Sequence, residues 1–258
     1  MTELRLLPRL YQVGGPHLTD PKDCSVFLMD DEPSVLVDCG APDGVTALVH
    51  NLSALGVELS DIGMIIGTHC HYDHVGGAAE LQRLAGVPLW LHAHDRRAVE
   101  EGDGIQTASE MMYHLPFPRA RVDMELFDGQ TIELKHCTLT IVHTPGHTAG
   151  SACALATWDD FTLLLAGDTV WGGHHPAFGV PIETWRASLE KLLGYDFDAM
   201  VWGHSGGIVF GDARRRVSEA LMALGVYYVP WRIPISGVQF RYGADAYNPG
   251  RNETNGVP

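Results

Sequence analysis

Positive charge is in short supply in this chain. Its 258 residues hold 17 Lys and Arg against 32 Asp and Glu, a formal charge of −15. Proteins that grip a phosphate backbone do so with clustered Lys and Arg. The basic run Arg214-Arg215-Arg216 sits beside Asp212 and ahead of Glu219, the pattern of a solvated helix face, so nucleic acid is excluded as an expected partner. Long apolar runs are missing as well. No segment approaches the roughly 20 apolar residues that a membrane-spanning helix needs, and residues 1–10 show no signal-peptide pattern. Paired cysteines are also lacking. Cys24, Cys39, Cys70, Cys137 and Cys153 are odd in number, scattered, and never spaced as CxxC. That argues against a disulfide framework and for free thiols in a reducing compartment. Together these absences give the expectation of a soluble, cytoplasmic protein without a membrane partner.

Glycine and histidine are what the chain has in quantity. The 29 glycines suit tight turns and close backbone approaches. The 14 histidines are the compositional trace of metal chemistry. A length of 258 residues is near the upper limit for one hydrophobic core. One compact domain over residues 1–243 is therefore expected, followed by an extended tail over 244–258. Segments 26–29 and 34–37 read as a hairpin turned at Asp30-Asp31-Glu32-Pro33. Segments 62–68 and 89–92 read as strands, and 43–55 and 75–84 as helices. In the second half, 131–134, 139–143, 151–158, 161–166 and 199–202 read as strands. Helices are expected over 182–193, opened by Pro181, and over 213–224, with Asp212 as N-cap. Strands alternating with helices favour an α/β layered fold. Residues 93–118 look less regular, with Met111, Met112, Tyr113 and His114 as candidate pocket walls. Segment 226–242 is apolar and aromatic but broken by Pro230 and Pro234; it reads as a lid or a homodimer surface.

The densest chemistry is His69-Cys70-His71-Tyr72-Asp73-His74, directly after the apolar run 62–67. Imidazole, thiolate and carboxylate are the side chains that hold zinc, and no ordinary core or surface packs them so closely. Four further segments place a polar group at the exit of an apolar strand, beside glycine. They are Asp38-Cys39-Gly40, Pro145-Gly146-His147-Thr148, Gly167-Asp168-Thr169 and Gly203-His204-Ser205-Gly206. Exits of neighbouring strands lie close together, so these groups can converge. Taken singly, each histidine reads as a satisfied polar residue; taken together, they read as a metal centre.

In this order and context the five motifs resemble those of the metallo-β-lactamase superfamily, with its HxHxDH signature. The resemblance spans Asp38 to His204. It implies a four-layer αββα sandwich with two divalent metal ions at one edge of its sheets. Those ions are zinc by preference, with iron or manganese as alternatives. Carried over by position, His69, His71 and His147 would hold one ion and Asp73, His74 and His204 the other, with Asp168 bridging. The resemblance further implies that a hydroxide bridging the ions attacks a carbonyl, with Asp73 accepting or relaying the proton. Asp38 is expected to orient a ligand histidine and Cys70 to be a packed small side chain. His92 and His94 read as structural or exposed, and His143 as part of a strand surface.

Within the superfamily, Thr68-His69-Cys70-His71-Tyr72-Asp73-His74 and Gly167-Asp168-Thr169 look most like the glyoxalase II, thioesterase and lactonase branch. The chain departs from glyoxalase II in showing no basic helical domain after His204. It departs from acyl-homoserine lactonases in carrying Trp171 where they place tyrosine. A carboxylate at the bridging position disfavours a true β-lactamase. The expected reaction is hydrolysis of an ester, thioester or lactone in a small, neutral or apolar substrate. The rival is a persulfide dioxygenase, which is similar in its Thr-His-Cys-His signature and would hold one iron on His69, His147 and Asp168. Trp171, His174 and His175 lie in a loop after Asp168 that is expected to overlie the metals.

Overall fold

The computed structural model describes residues 4–204 and 206–224. The proposed lid at 226–242 and the tail at 244–258 lie outside these residues. Thirteen strands form two sheets. The first takes β1 (Leu4–Leu7), β2 (Leu10–Gly14), β3 (Val26–Met29), β4 (Ser34–Val37), β5 (Ile62–Ile66), β6 (Leu89–His92) and β7 (Met124–Leu126), side by side in that order. The second runs β13 (Val209–Phe210), β12 (Ala199–Val201), β11 (Phe161–Leu165), β10 (Ala152–Trp158), β9 (Thr138–His143) and β8 (Thr131–Glu133). Strands β4 to β7 pair in parallel, and β11 pairs in parallel with β12. Parallel neighbours need crossover connections, usually helical. These are α1 (Val45–Ala54), α2 (Tyr72–Val75) with α3 (Ala78–Ala85), α4 (Ala93–Glu101) and α5 (Ile182–Leu192). Helix α6 (Ala213–Ala223) follows the last strand.

Side chains alternate faces along a strand, and here both faces are apolar. Phe27 and Met29 of β3, Val35 and Val37 of β4, and Leu163 and Leu165 of β11 meet between the sheets. Val26, Leu28 and Leu36 turn the other way, onto Leu48 and Leu52 of α1 and Leu81 of α3. Leu164 turns onto Trp185, Leu189 and Leu192 of α5. Three apolar layers therefore separate four structural layers, the αββα sandwich. The five cysteines are free and buried. Among the described residues no helix is long and apolar enough to cross a membrane.

The hairpin and β6 match the sequence expectation. Several boundaries do not. The helix expected over 75–84 is split: a turn of helix over Tyr72–Val75 comes first, and the main helix begins at Ala78. The break is steric. The loop at Cys39 and Gly40 packs against it, and a Cβ on Gly77 would lie 2.8 Å from the Cys39 carbonyl oxygen. Residues 93–101 form a regular helix rather than an irregular patch, closed by Gly102 in the left-handed conformation. Helix α1 begins two residues later than expected because a 3₁₀ turn occupies Pro42–Gly44. Asp212 precedes α6 but makes no side-chain capping bond.

Candidate metal centre

Four strand exits converge on one rim of the sandwich. His69 and His71 follow β5, and Asp73 and His74 ride on α2. His147 follows β9, Asp168 follows β11 and His204 follows β12. The motif's second half is thus helical. Helical φ and ψ put Asp73 and His74 within reach of groups from the other sheet.

The separations are those of a coordination shell. His69, His71 and His147 offer ring nitrogens within 4.8 Å of one another, and a carboxylate oxygen of Asp73 lies equally close to ring nitrogens of His74 and His204. Asp168 Oδ1 lies 3.5 Å from His74 Nε2. Its Oδ2 lies 3.5 Å from His147 Nε2 and 3.4 Å from His204 Nε2. Asp73 Oδ2 is 3.6 Å from His74 Nε2 and 3.4 Å from His204 Nε2. These are long for hydrogen bonds. Two atoms that each sit about 2.1 Å from a tetrahedral ion are about 3.4 Å apart. The Nε2 atoms of His69, His71 and His74 are buried with no hydrogen-bond partner. Such groups are costly unless something satisfies them, and the donor set of imidazole and carboxylate fits zinc, iron or manganese. Asp168 touches both groups of three, as a bridging ligand must. Glycine at 203 is required at this point, since a Cβ there would lie 2.0 Å from Asp168 Oδ1.

The other ring nitrogens are held from behind. His74 Nδ1 is 2.7 Å from Asp38 Oδ2, His147 Nδ1 is 2.5 Å from the Gly173 carbonyl, and His69 Nδ1 is 3.0 Å from Thr68 Oγ1. Partners of this kind fix tautomer and ring orientation in metal sites. Asp38 plays the orienting part that the sequence suggested. Cys70 packs, with its thiol on the Gln106 carbonyl at 3.3 Å.

Burial, reinforced by the neighbouring rings, lowers the pKa of His69 and His71 well below the ordinary histidine value, and burial also lowers that of His147. These rings therefore present lone pairs at neutral pH. Burial also works against charge on His74, but Cys24, Asp38, Asp73 and Asp168 outweigh it and raise its pKa. Burial alone would raise Asp168, yet His204, His74 and His147 hold it far below the usual carboxylate range.

Three side chains that the sequence did not single out belong to this site. Phe178 packs its ring 4.7 Å from His71 and 6.2 Å from His147, forming an apolar wall. Its only signal was its place in the loop after Asp168. In that loop Trp171 is buried against Trp202, His174 Nε2 bonds the Val180 carbonyl and His175 accepts from Ala177 N. Cys24 lies beside Asp38 and His74. Of the expected pocket walls, Tyr113 stacks 5.0 Å from Tyr72, and burial together with nearby Asp73 raises its phenol pKa.

Asp95 of α4 is the third. Its Oδ2 accepts from Cys70 N at 2.9 Å and from Thr148 Oγ1 at 2.7 Å, and its Oδ1 from Gly150 N at 2.7 Å. One buried carboxylate thereby ties the His69–His74 segment to the loop carrying His147. Asp95→Ala leaves two buried N–H groups without an acceptor, at about 1–3 kcal/mol each. A net loss of about 2–3 kcal/mol in urea unfolding is expected, with Asp95→Asn losing less. Wild-type stability in the alanine variant would refute the tie.

A family model described as the metallo-beta-lactamase superfamily matches residues 19–204. A probable metallo-hydrolase of Methanocaldococcus jannaschii is 27% identical over 154 residues, 60% of this chain and 68% of that protein. A Bos taurus protein named as an acyl-coenzyme A thioesterase is 32% identical over 124 residues, 43% of this chain and 42% of its own. A solved metallo-beta-lactamase of Cronobacter sakazakii superposes with a TM-score of 0.74 at 24% identity, over 87% of this chain and 96% of that one. At that identity the likeness establishes fold alone. The match of the family model across most of the chain, over the same rim where the ligand set assembles, places the protein in the metallo-β-lactamase superfamily.

Proposed function

We propose that this protein is a metal-dependent hydrolase that opens an ester, thioester or lactone carbonyl at a centre of two divalent ions. His69, His71 and His147 hold the first, Asp73, His74 and His204 the second, and Asp168 both. The observation that carries the reading is the set of three buried ring nitrogens, Nε2 of His69, His71 and His74, without a hydrogen-bond partner, with Asp73 and Asp168 reaching His74 Nε2 at 3.6 and 3.5 Å. When bound, two such ions bring the pKa of water towards about 7 and polarise a carbonyl oxygen.

The chain's own groups do the rest. Asp73 and Asp168 offset the positive charge, and Asp73 accepts or relays the proton. Asp38 and the Gly173 carbonyl hold the His74 and His147 rings in the ligating tautomer. Phe178 and Tyr113 narrow the approach and exclude water, which favours an apolar acyl group over a polyanion. The thioesterase name of the Bos taurus relative agrees with an acyl substrate. The second group of three, Asp73, His74 and His204, within 4.8 Å of one another, supports a two-ion hydrolytic centre over the one-iron dioxygenase alternative.

Elemental analysis of purified protein followed by a substrate panel tests this. The expected result is two zinc ions per chain and turnover of an aryl ester, thioester or lactone. One iron with oxygen consumption, or activity confined to phosphodiesters, would overturn it.

A further inference from the structure

A second group of histidines assembles away from the seven residues above. His92 ends β6, His94 lies in the first turn of α4, and His143 ends β9. Read along the chain they have no joint role, because His92 and His143 come from different sheets. In the fold, the rings of His92 and His143 stack at 3.7 Å with planes 10° apart. His94 meets both edge-on, at 5.0 and 5.6 Å. One nitrogen from each of the three lies within 4.8 Å of the others.

We propose that His92, His94 and His143 form a separate site for one divalent transition-metal ion, zinc or a similar imidazole-seeking cation, with water completing its shell. Three protein ligands and an open position are a common arrangement for zinc. His143 is already oriented for it. Its Nε2 faces the Ala149 carbonyl at 3.0 Å, so Nε2–H donates there and Nδ1 keeps its lone pair, as in histidines that ligate metals. His92 is buried and fixed, while His94 is exposed and free to swing inward. With the three nitrogens already within 4.8 Å of one another, that motion brings them towards the roughly 3.4 Å between ligands of a tetrahedral ion. A 3.3 Å bond from His94 N to His92 Nδ1 is the weak contact at stake.

The charges nearby permit a cation. Lys191 is paired with Asp128 and Arg96 with Glu125. Burial and the neighbouring histidines push the pKa of His92 down to about 4, and burial lowers that of His143. Both rings are therefore uncharged at neutral pH, and an ion meets lone pairs rather than protons. Stacking alone accounts for His92 and His143 but not for His94, an exposed third ring turned towards the pair.

The test is equilibrium dialysis of the full chain against zinc alone, with bound metal counted by mass spectrometry. His94→Ala is expected to take up one equivalent fewer than wild type, with affinity for that equivalent down at least about tenfold. His92→Phe, which keeps a ring in the stack, is expected to do the same. The comparison is relative to wild type, so it stands whatever the seven-residue centre holds. Asp168→Ala separates the two, since it disturbs that centre and leaves the His94-dependent equivalent in place. Equal uptake by wild type and both histidine variants up to roughly 100 µM free zinc would overturn the proposal.

Discussion

Asp168→Ala is expected to lower hydrolysis by at least about a thousandfold and to remove at least one ion, and a strong chelator to abolish turnover of the wild type. The size follows from position. Asp168 sets one oxygen 3.5 Å from His74 and the other 3.4–3.5 Å from His147 and His204. No other side chain of the site faces both ligand groups in this way. Without it, mutual repulsion of the ions is unshielded and their spacing is lost. A two-ion centre contributes several kcal/mol to transition-state stabilisation, and about 4 kcal/mol is a factor of a thousand. Elemental analysis and initial rates on the same preparation read both effects, and circular dichroism confirms that the variant folds. A variant with full metal content, or a chelated enzyme that still turns over, contradicts the assignment.

Asp38 gives the second large effect, and two substitutions divide it. The carboxylate accepts from Thr68 N at 2.8 Å and Thr68 Oγ1 at 2.9 Å, and holds His74 Nδ1 at 2.7 Å. The residue is buried, with φ of +60°, a region that asparagine and aspartate tolerate better than most residues. Asp38→Asn keeps the shape but places an amide N–H opposite His74 Nδ1–H. The ring then moves its proton to Nε2, the atom that faces the ions. Metal affinity is expected to fall about 10–100-fold with stability largely kept. Asp38→Ala adds the loss of three bonds and takes from His74 its closest carboxylate, at about 3–5 kcal/mol. Competition with a chromogenic chelator and urea unfolding separate the two. An asparagine variant that holds both ions as tightly as wild type would refute the tautomer argument.

How much of this was legible from residues alone depends on range. The convergence of the seven residues was legible because metal chemistry restricts residue type and spacing so tightly that distant motifs announce one another. The long strands were legible because an apolar run between turn residues has few other uses. Strands β1, β2, β7 and β13 were not: each has five residues or fewer, and pairing, not propensity, makes them strands. Asp95 was invisible for a different reason. In Ala93-His94-Asp95-Arg96-Arg97 it looks like any acid in a first helical turn, and only tertiary structure aims it inward at Cys70 and Gly150. His92, His94 and His143 follow the same logic, read singly as strand or surface residues until two sheets bring them together.

The rim that collects the ligands joins two sheets, and this bears on how long the molecule survives. His69, His71, Asp73 and His74 belong to one sheet's connections and His147, Asp168 and His204 to the other's. Each ion, once seated, is a rivet through both halves, and binding to the native state alone protects it by mass action. Scarcity of metal would then shorten the protein's lifetime against heat and proteases as well as slow its chemistry, with the first opening expected along the seam between the sheets.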